Sequence, residues 1–104
     1  MTETPFNLVR NPDTSPETLA VLATHENSYI RDLVARHENT SSETLKLLAS
    51  DVDDYVRMKV SWNPNTPPEA LVKLISDEKW DVRCGAANNK NAPELARRLH
   101  LMND

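Results

Sequence analysis

The 104-residue chain contains a single glycine, Gly85. A phosphate-cradling loop needs several glycines so that backbone N–H groups can close on the ligand. A nucleophile elbow needs small residues, usually glycine, around a sharp turn. Neither can be written with this inventory, and the common nucleotide-binding and hydrolase architectures are set aside with them. Cysteine is as scarce: a lone Cys84 allows no disulfide framework and no cysteine cluster for a metal. No apolar run approaches the length of a membrane span. The segment Met1-Thr2-Glu3-Thr4-Pro5 lacks the basic and apolar regions of a signal peptide, so a cytosolic protein is expected. Positive charge is also short. Twelve Lys and Arg against 16 Asp and Glu leave a net charge of −4, which argues against generic nucleic-acid binding.

What the sequence does hold is repetition. Asn11-Pro12-Asp13-Thr14-Ser15-Pro16-Glu17-Thr18-Leu19 recurs 26 residues later from His37 to Leu45, and again from Asn63 to Leu71. A degraded fourth copy begins at Asn89. Tyr29-Ile30-Arg31, Tyr55-Val56-Arg57 and Asp81-Val82-Arg83 keep the same step. Four such units fill the chain, approximately 1–29, 30–55, 56–81 and 82–104, as one domain spanning 1–104.

Each unit reads as helix–turn–helix. Thr14…Glu17, Thr40…Glu43 and Thr66…Glu69 have the spacing of a capping box, in which the threonine oxygen accepts from a backbone N–H and the glutamate reaches back. Asn91…Glu94 reads as an Asn-type version, with one residue lost so that Leu99 aligns with Leu74. Leu19, Leu22, Leu45, Leu48, Leu71 and Leu74 follow the boxes at helical spacing. Ile30, Val34, Val56, Val60 and Val82 form the matching face of the other helices, which run from about Tyr29 to Arg36 and from Tyr55 to Trp62. Asn11-Pro12 and Asn63-Pro64 read as Asx-turns. Units this short bury their apolar faces only by stacking on one another. The expected fold is all-α, an αα-superhelix or solenoid of four 26-residue units.

The run Asn63-Pro64-Asn65-Thr66-Pro67-Pro68-Glu69-Ala70-Leu71, with Leu74 and a trailing Val82-Arg83, resembles the bacterial variant leucine-rich repeat family, a relation of HEAT-like helical solenoids. The resemblance covers essentially the whole chain. It implies an α-helix paired with a 3₁₀-like helix in each unit, and a scaffold or interaction role that fixes no partner. Some members carry an N-terminal cysteine cluster for an iron–sulfur centre. Only Cys84 is present here, so no cofactor is carried over.

Several side chains invite a functional reading. Arg31, Arg57 and Arg83 recur beside buried positions. They read as a row of cations for phosphate or carboxylate, or as a structural ladder joining adjacent units, and their repetition in register with the core favours the ladder. Asp51, Asp53, Asp54, Asp77, Glu78 and Asp81 could hold a cation, but they sit where helix N-termini favour acids and lack the spacing of a calcium loop. Cys84, His25, His37 and His100 have no partners fixed by sequence, and no enzyme is expected. Tyr29, Leu33, Tyr55, Lys59 and Trp62 share a helix face distinct from the core face. Leu33 and Trp62 are not repeated in their equivalents, and neither is Trp80. Trp and Tyr are favoured interface anchors, so these six are the expected contact residues for a protein partner. Nucleic-acid backbone binding and an acidic mimic that blocks a basic site remain as alternatives.

Overall fold

The computed structural model describes residues 3–103. Met1, Thr2 and Asp104, which the repeat assigns to the first and last units, lie outside the described residues. Eight α-helices occur among the described residues: α1 (Pro5–Arg10), α2 (Pro16–Leu22), α3 (Ser28–Arg36), α4 (Ser42–Leu48), α5 (Asp54–Trp62), α6 (Pro68–Ile75), α7 (Trp80–Asn88) and α8 (Glu94–Asn103). None is a 3₁₀ helix, which corrects the tighter helix implied by the resemblance. The odd helices α1, α3, α5 and α7 pack side by side in chain order, and α4, α6 and α8 form a second row against them. The whole measures 53 × 20 × 16 Å. No described helix is long and apolar enough to cross a membrane.

The core lies between the two rows. Leu19, Leu22, Leu45, Leu48, Leu71 and Leu74 join Ile30, Val34, Val56, Val60 and Val82 in one buried cluster, with Val9 from α1. Ala35 and Ser61 are buried beside them, where small side chains let neighbouring helices approach.

The capping boxes need correction. The caps of α2 and α4 are Ser15 and Ser41, whose side chains accept from the N–H groups of Thr18 and Thr44 at 3.2 Å. Pro67 opens α6 with no side-chain cap. Thr14, Thr40 and Thr66 are buried instead, and they donate rather than accept. The Thr40 hydroxyl bonds the Val34 carbonyl and the Thr66 hydroxyl bonds the Val60 carbonyl, each at 2.6 Å; Thr14 bonds Leu8 in the same way. Their own N–H groups are taken by the carbonyls of Asn11, His37 and Asn63. Glu17, Glu43 and Glu69 therefore have nothing to reach back to. Glu43 pairs with Lys46 at 3.8 Å, and Glu94 with Arg98 at 3.2 Å. Each threonine thus latches the end of one helix to the start of the next. Thr66→Val keeps the shape and removes the latch, so it should cost about 1–2 kcal/mol in urea unfolding. An unchanged midpoint would show that the hydroxyl contributes nothing.

The turns after the odd helices bind each unit to the one before. Asn63 Oδ1 accepts from Asn65 N–H at 2.8 Å, and its Nδ2 donates to Ala35 O at 2.8 Å and His37 O at 3.2 Å. Asn89 repeats this on Asn91 N–H, Ser61 O and Asn63 O. His37 imitates the amide with its ring: Nδ1 accepts from Asn39 N–H at 3.0 Å and Nε2 lies 2.9 Å from Asn11 O. Those roles place the proton on Nε2. Asn39 and Asn91 add bonds to the carbonyls of Pro12 and Thr14, and of Pro64 and Thr66.

Asn91 is therefore the counterpart of Asn39, not a helix cap, and the fourth unit has lost no residue. Helix α8 starts at Glu94. Ala92 fills the threonine slot and Ala96 that of Ala70, both buried, while Leu99 is exposed and His100 is buried in the register of Leu74. Arg97 stands in the register of Leu71 and donates to Asn89 O at 2.9 Å.

Candidate functional site: a groove between two helices

Arg31 and Arg57 connect one unit to the next. Arg31 meets Asp51 through Nε at 2.8 Å and Nη2 at 3.1 Å, and also donates from Nη1 to the carbonyls of His25 and Glu26. Arg57 meets Asp77 at 2.7 and 3.2 Å and donates to the carbonyls of Asp51 and Val52. The carboxylate bond raises each guanidinium above its ordinary pKa against an opposing desolvation. Asp51 and Asp77 each close a turn as well, accepting from Asp53 and Lys79 N–H. His25 takes that turn role in the first unit by accepting from Asn27 N–H, and the residue in the arginine position there is Pro5. Aspartate thus stands in this turn where an arginine faces it. Arg83 donates to the carbonyls of Asp77 and Glu78. Among the described residues no group of three or more His, Cys, Asp or Glu gathers as metal ligands would.

The aromatic residues lie apart from this network. Tyr29 is 47% exposed, Tyr55 63%, Trp62 54% and Trp80 58%, all on α3, α5 and α7. Tyr29 leans on Phe6, with ring centroids 5.9 Å apart, and Leu33 is half-buried against the core. Lys59 reaches Asp32 on α3 at 3.3 Å and also lies 5.6 Å from the centre of the Trp62 ring, within cation–π range.

Between α5 and α7 runs an open groove of about 870 Å³, lined by Met58, Ser61, Trp62, Asp81, Cys84 and Gly85, with Asn88 and Lys90 at one end. A smaller hollow of about 170 Å³ continues it at the other end, lined by Asp54, Tyr55, Lys79 and Trp80. Met58 and Asp81 border both. Gly85 sets the shape. A Cβ there would sit 2.7 and 2.8 Å from the Trp62 ring and would also collide with the Ser61 hydroxyl, which is itself bonded to Met58 O at 2.6 Å. Only glycine lets the indole lie across α7.

Of the six expected contact residues, Tyr55, Trp62 and Trp80 border this groove, Lys59 lies against Trp62, and Tyr29 and Leu33 sit one helix away on α3. Sequence reasoning missed Met58, Ser61, Lys90 and the part played by Gly85. The signal for Gly85 was its position, which in earlier units holds Leu33 and Lys59. No protein-family model, curated protein or solved structure matches the chain.

Proposed function

We propose that the chain is a non-enzymatic scaffold for protein–protein interaction. In this reading it is an αα-superhelix of four 26-residue units and a single domain, akin to variant leucine-rich repeat and HEAT-like proteins. It works in the cytosol and holds its partner on the face of α3, α5 and α7. The exposure of four large aromatic side chains on these neighbouring helices carries the reading. Trp62, Met58, Tyr55 and Trp80 line one groove; apolar surface gathered in this way marks a contact site, and tryptophan and tyrosine are the usual anchors. The alternatives are less well supported. Arg31 and Arg57 are engaged by Asp51 and Asp77, and Lys59 by Asp32. Those pairs take Asp32, Asp51 and Asp77 from the acids that a mimic of nucleic acid would present.

A pull-down from native lysate compares the unaltered chain with Trp62→Ala. The substitution should weaken capture of the partner by at least about 1 kcal/mol while costing less than about 1 kcal/mol in stability. A large stability loss with unchanged capture would return Trp62 to the structural set and remove this face from consideration.

A further inference from the structure

The groove between α5 and α7 has a chemical polarity. Its Trp80 end carries Asp54 and Asp81 beside Lys79. Its Trp62 end carries Lys90. On the far side of the indole a second hollow, lined by Arg36, Lys59, Asn63 and Pro64, shares Trp62 as its wall. Arg36 and Lys90 are exposed, and neither has a carboxylate partner among the described residues. Two unanswered cations therefore flank one exposed tryptophan. The groove floor between the aromatic ends is Met58 and Gly85. Nine-residue helices such as α5 and α7 are about 13 Å long, the reach of roughly four extended residues.

We propose that this groove binds an acidic, extended segment of a partner protein, with one large apolar side chain seated against Trp62, Met58 and Gly85 and a second on the Tyr55–Trp80 platform. Carboxylates next to the first apolar residue meet Arg36 and Lys90. Complementary charge fixes the direction of the segment, because the opposite orientation would bring those carboxylates to two acids, Asp54 and Asp81, against the single cation Lys79. Apolar pockets at separate positions along an extended chain supply specificity in the manner of other peptide grooves. This inference rests on the protein-binding reading above and names the chemistry of the partner.

The experiment selects a phage-displayed library of random peptides of about ten residues on the full chain. In parallel it selects on Trp62→Ala and on the double variant Arg36→Glu/Lys90→Glu. Peptides enriched on the unaltered chain should combine two apolar residues with an acidic cluster at one end. They should be lost on Trp62→Ala, and on the double variant the acids should give way to Lys and Arg. Both tryptophans of the chain border the groove, so a selected peptide should shift their emission to the blue. Its Kd should rise at least about tenfold on the double variant, as removal of complementary charge does.

No enrichment above background, enrichment without acids, or equal enrichment on Trp62→Ala would each overturn the proposal. So would an oligo-dT strand that binds more tightly than the best peptide, which would assign the cations to phosphates. If selection fails while lysate capture stays dependent on Trp62, the groove proposal falls and the scaffold reading stands. If lysate capture is indifferent to Trp62 as well, both fall.

Discussion

Leu45→Ala should destabilise the chain by about 2–5 kcal/mol, the range for emptying a well-packed leucine site. Leu45 is fully buried in α4, and α4 touches α3, α5 and α6. Leu19 and Leu71 hold the same register in the units on either side, both also fully buried. With neighbours packed on both sides, the site has little freedom to collapse around the missing methyl groups. Urea unfolding followed by far-UV circular dichroism measures the loss. Leu99→Ala is the matched control, because Leu99 is exposed on α8, and surface changes stay within about 0.5 kcal/mol. A loss below about 1 kcal/mol for Leu45→Ala would place the buried face elsewhere.

Asp77→Ala is expected to cost about 2–4 kcal/mol. Removing one member of a shielded ion pair leaves the other charge desolvated and unanswered. Here Arg57 would lose contacts at 2.7 and 3.2 Å and keep the carbonyls of Asp51 and Val52, with the charges of Asp54 and Glu78 farther off. Asp77 also holds Lys79 N–H at 2.9 Å, so two functions are lost together. Asp77→Asn keeps an oxygen for the turn while the charge is gone, and sets its NH2 against Arg57 Nε where Oδ2 now accepts. A smaller loss for Asp77→Asn than for Asp77→Ala would show that the turn bond to Lys79 N–H contributes. A loss under about 0.5 kcal/mol for Asp77→Ala would reduce the pair to an ordinary surface contact. The arginine side adds no pH dependence in the working range. Its pKa is raised in the fold, so its contribution is complete below the unfolded value and fades only as pH rises through the folded one, in strong alkali.

The helices and their core were legible because leucine and valine spacing is set by burial, and burial is what repeats. The threonines were misread because two hydroxyl residues stand together at Thr14-Ser15 and Thr40-Ser41. Either could cap in a local pattern, and only packing against the preceding helix decides which is inside. The fourth unit was misaligned for a related reason. Hydrophobicity draws Leu99 toward the core register, but the bonds from Asn91 to Pro64 and Thr66 hold the unit in step and bury His100 there. Trp62 stood out as an unrepeated residue. The groove beside it did not, because it depends on how the indole meets Gly85 across two units, a distance no single-unit pattern encodes.

The side-chain hydrogen bonds from the turns after the odd helices to the preceding unit all point one way. His37, Asn63 and Asn89 each meet carbonyls of the preceding unit, so every junction has a donor side and an acceptor side. Symmetry follows from this direction. Each junction is heterologous, with the donor turn of one unit on the acceptor turn of the one before, so the row has a direction and no two-fold axis across a junction. Asn89 O is the counterpart of Asn63 O, and Arg97 bonds it from within the same unit. Arg97, in the register of Leu71, thus answers from within its own unit the carbonyl whose counterpart on Asn63 is answered by the following unit.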